Sequence, residues 1–114
     1  KSNPWTVANF VVGNGLGTGG GISSVTGTGN SVVVVFNVGT APVANGKMFD
    51  IIYPYPFKTS SYITWNARGS NGLSNFLKYD NTAANATGAT MTAVGTLSGG
   101  SQTLVFHIWG ADSN

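Results

Sequence analysis

The sequence has no cysteine and no glutamate, and only 7% of its 114 residues are charged. Without cysteine the chain has neither a disulfide framework nor a thiolate metal site. Five basic residues against three acidic ones give a net charge of +2, which reflects the scarcity of carboxylates rather than a basic cluster. A nucleic-acid partner is therefore not implied. No apolar run approaches the ~20 residues of a membrane-spanning helix, so membrane insertion is not expected.

A stripe of apolar residues with helical period is also missing, and the pattern that is present is typical of an all-β domain. Short runs of Val, Ile, Thr and aromatic residues alternate with Gly, Asn, Pro and Ser. They predict about eight strands, at residues 6–12, 22–26, 31–38, 47–53, 61–66, 73–79, 90–97 and 102–109. Eight strands in one small domain predict an antiparallel β-sandwich of two packed sheets.

The segments between the strands carry typical turn residues. Asn45-Gly46 predicts a type I′ turn, residues 70–72 predict a tight reversal, and residues 98–101 predict a hairpin before the last strand. Residues 80–88 are rich in Asn, Thr and Ala and hold no aromatic anchor. They predict a surface loop or a single helical turn.

Residues 13–30 contain eight glycines. We interpret them as a meandering loop with a weak edge strand at 22–26, the alternative being a mobile arm that contacts a partner. Within them, residues 15–20 match the Gly-x-Gly-x-x-Gly dinucleotide fingerprint. That loop must open a helix, whereas strand-like sequence follows here, so the match is interpreted as chance.

Two predicted strands are apolar on both faces, although a strand in a sandwich hides only one face in the core. In the strand at 31–38, Val33 and Val35 alternate with Val32, Val34 and Phe36. In the last strand, Val105, His107 and Trp109 alternate with Leu104, Phe106 and Ile108.

The surplus apolar faces predict contact with neighbouring copies of the chain in a closed, symmetric assembly. The candidate residues for a trimer interface are Val33, Val35, Val105 and Trp109. The alternative is that the glycine-rich segment caps one of these faces within a single subunit.

The titratable residues are too few and too scattered to predict an enzyme. They include Asp50, Asp80, Asp112 and the single His107, which lies within an apolar strand. The aspartates are at least thirty residues apart and show no metal-ligand spacing, so neither a metal nor a cofactor is expected. Asn85-Ala86-Thr87 is a glycosylation sequon of a kind that arises by accident in an Asn- and Thr-rich chain.

Residues 53–58 combine two prolines with three aromatic residues at alternate positions. Prolines hold an extended backbone, and rigid aromatic side chains anchor binding surfaces, although the same rings are suited to capping a core at a crossover between sheets. Lys58, Arg68 and Lys78 add positive charge near predicted loops. The candidates for contact with a binding partner are Tyr55, Phe57, Lys58 and Arg68.

Both ends of the chain resemble one family of viral proteins. Asn3-Pro4-Trp5-Thr6 resembles the Leu-Trp-Thr hinge between the shaft and the head of adenovirus fibres, with Pro4 in place of the leucine. The sequence Thr-Leu-Val-Phe-His-Ile-Trp at 103–109 is similar to the last strand of such heads. The chain resembles the short fibre heads of reptile atadenoviruses, and the long receptor-binding loops of mammalian fibre heads have no counterpart in it.

This resemblance implies a β-sandwich head, or knob, that is assembled as a homotrimer on the virion surface. Residues 1–6 would form the end of the shaft and the hinge, with Trp5 and Thr6 as hinge residues, and residues 7–114 would form the head. The head would be a capsid protein made in the infected cell, joined through an upstream shaft to the penton base. It would bind a host-cell protein or glycan and support cell entry without enzymatic activity.

Two other functions fit the sequence. One is the tip of a bacteriophage tail fibre, where similar glycine-rich, charge-poor β-structure occurs. The other is a monomeric carbohydrate-binding module, with Trp65, Tyr55 or Trp109 stacking on sugar rings. Because the chain begins at Lys1 without methionine, we expect it to be part of a longer protein.

Overall fold

The computed structural model describes residues 4–28, 30–69 and 75–110 and consists of two four-stranded antiparallel sheets. The all-β prediction is therefore confirmed. The strands are β1 Phe10–Val12, β2 Gly21–Gly27, β3 Ser31–Val38, β4 Lys47–Ile52, β5 Ser61–Arg68, β6 Tyr79–Ala84, β7 Gly88–Ala93 and β8 Gly100–Gly110. In the described ranges no helix is both long and apolar enough to span a bilayer.

The strand order is β1-β4-β7-β6 in the first sheet, called sheet I, and β2-β3-β8-β5 in the second, called sheet II. Only the β2–β3 and β6–β7 connections join neighbours within a sheet. Every other connection crosses between the sheets, which gives the β-sandwich-like arrangement its many long-range pairings.

The core lies between the two sheets and is built around aromatic rings. Phe36 of β3 meets Phe49 of β4 edge to face at 5.4 Å, and Phe49 meets Phe106 of β8 at 6.1 Å. Edge-to-face contacts of this kind stabilise the fold by more than the burial of their apolar area alone. The alternating side chains of β3 and β8 supply much of the remaining buried surface.

The first predicted strand is shortened by a local hydrogen-bond network. Residues Val7–Asn9 form a 3₁₀ turn, in which the Asn9 side chain accepts a bond from the Thr6 backbone N–H at 2.8 Å. Its amide nitrogen donates to the Ile52 carbonyl at 2.8 Å. Asn9 therefore stabilises the 3₁₀ turn at the start of the predicted strand, and only Phe10–Val12 pairs with β4.

The prediction of a strand at 73–79 is wrong for residues 75–78 and correct at Tyr79, where β6 begins. Phe76–Lys78 form a 3₁₀ turn that follows the fully buried Asn75. The Asn75 Oδ1 accepts from the Ser98 N–H at 2.9 Å, and its Nδ2 donates to the Ser98 carbonyl at 3.2 Å. This amide tie to a distant loop stabilises the turn in place of a strand.

The loop predicted at residues 80–88 is also wrong, because most of it forms β6 and the start of β7. Polar contacts stabilise the β6–β7 hairpin. The hydroxyls of Thr82 and Thr92 lie 2.8 Å apart, and the Asn81 amide donates to the Thr90 carbonyl at 3.0 Å. Only the turn at 85–87 between the strands remains a loop.

The glycine-rich segment is a loop followed by an edge strand, as predicted. It packs backbone to backbone against the residues that follow β3, with Thr18 and Thr40 forming an isolated β-bridge. A Cβ on Gly39 would collide with the Thr18 carbonyl and come within 2.6 Å of the Gly20 nitrogen, so this approach requires glycine. Because β2 lies at the edge of sheet II, the segment extends that sheet instead of capping its outer face.

Two of the predicted tight turns differ from the structure. Asn45 has a φ of +60°, but Gly46 has no positive φ, which a type I′ turn requires at both positions. The Asn45 side chain instead accepts from the Gly95 N–H at 2.8 Å. Residues 98 and 99 end the crossover from sheet I to sheet II and Gly100 begins β8, so residues 98–101 do not form a hairpin. The predicted reversal at 70–72 lies outside the described residues.

Candidate binding surfaces

The outer face of sheet II brings the surplus valines of two strands together. Val33 of β3 lies directly opposite Val105 of β8, and Val35 lies two residues further along β3 on the same face. All three side chains are only partly buried. The second apolar faces that the sequence predicts on two separate strands are therefore one continuous surface, because β3 and β8 are neighbours at the centre of the sheet.

Two exposed aromatic rings continue this surface toward one end of sheet II. Trp109 of β8 pairs with Tyr62 of β5, and their ring centroids lie 5.9 Å apart. Trp109 is 46% exposed and Tyr62 is 52% exposed. All four residues of the predicted trimer interface thus lie on one face.

The outer face of sheet I is different in character, because its centre is polar and internally hydrogen-bonded. Asp50 of β4 accepts from the Thr90 hydroxyl at 2.6 Å and forms an ion pair with Lys47 at 2.7 Å. The hydrogen bonds from Lys47 and then Thr90 lower the pKa of Asp50 below its usual value. The centre of sheet I is therefore polar and internally hydrogen-bonded, with exposed Val11 and Ile52 beside it, whereas the centre of sheet II is formed by valines.

The residues predicted to contact a receptor fall into two separate places. Tyr55 and Lys58 are exposed on the β4–β5 connection, and Tyr55 is 62% exposed. Phe57 is partly buried there, with its ring edge to face with Tyr53 at 5.5 Å, so it packs against the core. Arg68 is exposed at the far end of β5. The strand from Ser61 to Arg68 is roughly 23 Å long, because it rises about 3.3 Å at each of seven residue steps.

Arg68 lies next to the valine surface. A pocket of about 360 Å³ is lined by Arg68, Gly69, Val33, Val35 and Thr103. The predicted receptor contact of Arg68 and the predicted trimer interface of Val33 and Val35 are consequently adjacent. The other receptor candidates do not share this pocket.

Trp5 and Thr6, the predicted hinge residues, differ in their surroundings. Trp5 is only 2% exposed and contacts the Phe10 ring at 5.9 Å, so it belongs to the core between the sheets. Thr6 is exposed and precedes the first 3₁₀ turn. Their role as a hinge stays a prediction.

His107 lies on the exposed outer face of sheet II, where its Nδ1 is 3.1 Å from the Ser31 hydroxyl. Asp50 and Asp80 lie on strands of sheet I, across the core from this pair. Asp112 falls outside the described residues. Within the described ranges no three His, Cys, Asp or Glu side chains are grouped closely enough to hold a metal ion.

An apolar cleft beside the edge strand β5 has no counterpart in the sequence-based prediction. It encloses about 420 Å³ and is lined by Ile63, Thr64, Trp65, Phe76, Leu77 and Tyr79. Tyr62 and Thr64 point to the outer face of β5, so Trp65 points to the opposite, inner face. The centroid of its ring lies 6.5 Å from that of Phe106. Trp65 is partly exposed because β5 is an edge strand.

Comparisons with protein-family models, with curated proteins and with solved structures find no match for this chain. The resemblance to adenovirus fibre heads therefore stays a prediction.

Proposed function

We propose that this chain is the non-enzymatic head of a viral fibre, which assembles as a homotrimer through the outer face of sheet II and attaches the virion to a host-cell receptor. The observation that carries the proposal is the contrast between the two outer faces. Val33, Val35 and Val105 form an apolar centre on sheet II, whereas Asp50 and its partners form a polar centre on sheet I. Closed association covers such a surface in a low-charge protein.

Adhesion by such a head depends on avidity. Three identical sites on one rigid assembly prolong residence on a cell without any new contact within each site. The β4–β5 connection, with exposed Tyr55 and Lys58, is one candidate contact region, and Arg68 is a second. Host-cell binding distinguishes this function from that of a bacteriophage tail-fibre tip, which would bind bacterial envelopes instead.

The assembly is tested by light scattering at low micromolar concentration. We expect one species of three chain masses for the wild-type protein and monomers for Val33→Glu and Val105→Glu, because a buried carboxylate without a partner strongly opposes association. Val11→Glu is the matched control, since Val11 is an exposed strand residue on sheet I. A wild-type monomer, or equal disruption by Val11→Glu, contradicts the proposal.

Receptor contact is tested by the binding of the assembled protein to host cells. Alanine at Tyr55, Phe57, Lys58 or Arg68 is expected to weaken cell binding while leaving the trimer intact. Unchanged binding by all four variants removes these residues from the receptor site. Phe57 needs a folding control, because its ring packs against Tyr53.

The exposed pair of Trp109 and Tyr62 favours a second candidate, a monomeric carbohydrate-binding module. Two neighbouring aromatic rings at the surface are suited to stacking on sugar rings. Glycan-array binding by a monomer, lost in Trp109→Ala, would favour this function over the trimeric head.

A further inference from the structure

We propose that the edge of β5 that pairs with no strand of the described residues, together with the apolar cleft beside it, binds an extended segment of a partner protein as a fifth strand of sheet II. The bound segment would carry apolar side chains at alternate positions and a carboxylate opposite Arg68. This site uses the edge of sheet II, and Arg68 also lines the pocket beside Val33 and Val35 of the proposed trimer surface.

The four edge strands of the two sheets differ in how well they are protected against pairing. β1 has only three residues, and the registers of β2 and β6 are broken between Ile22 and Ser24 and between Asn81 and Ala83. Short length and bulges are the usual devices that stop an edge from adding another strand. The edge strand β5 has neither device.

β5 pairs with β8 in unbroken register from Ser61 to Arg68 and contains no proline. In the described ranges no strand pairs with its other edge. Alternate backbone N–H and C=O groups along this edge are thus directed toward the position that a further strand would occupy. Eight residues are long enough for a stable strand pairing.

The cleft lies where the side chains of an added strand would point. Ile63 and Trp65 line it from β5, and Phe76 and Leu77 line it from the 3₁₀ turn. Leu77 is 90% exposed, which is unusual for a large apolar side chain. Since successive side chains of a strand point to opposite faces, every second residue of the bound segment would enter this cleft.

The outward side chains of β5 define the other face of the bound segment. Thr64 and Asn66 are exposed and polar, and Arg68 is the only charged residue of the strand. The ion pair that the described residues contain is Lys47–Asp50 on sheet I, and no described carboxylate pairs with the Arg68 guanidinium. A carboxylate at the outward position opposite Arg68 would form a charge-assisted hydrogen bond. This combination of an open backbone edge, an apolar cleft and one cation favours a polypeptide over a small apolar ligand.

The probe is a blocked heptapeptide of sequence Asp-Val-Thr-Val-Thr-Val-Thr, whose antiparallel pairing places aspartate opposite Arg68 and valines beside the cleft. Three further peptides carry isoleucine, leucine or phenylalanine in place of the central valine. The control peptide Asp-Thr-Thr-Thr-Val-Val-Val has the same composition without alternation. Binding is followed in the NMR spectrum of the assembled protein, with the amides of β2 as an internal control for edge pairing.

We expect the alternating peptides to shift the amide signals of β5 and not those of β2. Leu77→Ser should weaken binding about tenfold and Arg68→Gln severalfold, whereas Val43→Ser, at an exposed valine that does not line the cleft, should leave it unchanged. Leu77 is so exposed that its replacement leaves the fold intact. No binding by any alternating peptide at about 1 mM overturns the proposal. Equal binding of the control peptide also overturns it, as does pairing of β5 with a second copy of the chain.

Discussion

The hydroxyl of Tyr53 lies 2.7 Å from the Oγ of Ser61, and this bond connects the β4–β5 connection to sheet II inside the protein. Ser61 Oγ donates its own hydrogen to the Asn85 carbonyl at 2.7 Å, so the Tyr53 hydroxyl is the donor to Ser61. One buried serine therefore connects β5 to two loops.

Removing the serine hydroxyl should cost more than removing the tyrosine hydroxyl. Ser61→Ala leaves both the Tyr53 hydroxyl and the Asn85 carbonyl without these partners, at about 2–3 kcal/mol of unfolding free energy, whereas Tyr53→Phe should cost about 1 kcal/mol. The double variant should cost less than the sum, because Ser61→Ala has already removed the shared bond. Urea unfolding measures all three, with exposed Thr64→Ala as control. Strict additivity would show that the bond contributes nothing.

The ion pair on sheet I predicts a dependence of stability on acid. The pKa of Asp50 is lowered in the folded protein, chiefly by the hydrogen bonds from Lys47 and Thr90. Its contribution to stability is therefore complete above the unfolded pKa of about 4 and is lost as pH falls through the folded value. Asp50→Asn should thus be less stable than wild type at pH 5, and the difference should shrink toward pH 2.

Urea unfolding at these two pH values tests the dependence. Lys47→Met is the matched variant, because it removes the first cause of the shift while the Thr90 bond remains. In the Lys47→Met background, the loss of stability that Asp50→Asn causes at pH 5 relative to pH 2 should be smaller than in wild type but still present. A gap between wild type and Asp50→Asn that is the same at both pH values would rule out this linkage.

At the other end of the pH scale, Tyr79 predicts a loss of stability in base. Burial raises the pKa of this tyrosine to about 12, and its hydroxyl donates to the buried Gln102 Oε1 at 3.3 Å. Because the folded pKa is above the unfolded value of about 10, the contribution is complete below pH 10 and is lost as pH rises toward 12.

Tyr79→Phe removes this group while keeping its ring. Between about pH 9 and pH 11.5 the variant should lose less stability than wild type. At neutral pH it should be less stable than wild type, because the hydrogen bond to Gln102 is lost. Chemical unfolding at the two pH values measures the stability of both proteins. The lysines also titrate in this range, but they do so equally in both proteins and do not affect the comparison. Parallel losses in both proteins would mean that Tyr79 does not titrate differently on folding.

The strands with strong apolar alternation were predictable from sequence, and β3 has the predicted bounds at both ends. β6 was not predictable, because Thr82 and Asn81 are stabilised by partners on β7 that only the folded hairpin brings close. The turn after Asn75 depends likewise on Ser98, which is 23 residues away.

The candidate surfaces show the same division. Alternation in sequence predicts that Val33 and Val105 face away from the core, but only the pairing of β3 with β8 places them opposite each other. The cleft beside β5 was missed because Trp65 and Leu77 come from segments that meet only through the crossovers between the sheets. Periodicity reports which face a residue occupies, and non-local pairing decides which residues share that face.

The burial of Trp5 predicts that the residues before the first 3₁₀ turn contribute to the stability of the folded domain. The Trp5 ring contacts Phe10 and is almost fully enclosed, so Trp5→Ala should cost about 3–5 kcal/mol of unfolding free energy. Trp5→Phe, which keeps an aromatic ring, should recover part of that loss. Thr6→Ala is the neighbouring control and should cost much less, because Thr6 is exposed. If urea unfolding finds Trp5→Ala as stable as Thr6→Ala, the tryptophan is a linker residue and the domain begins after it.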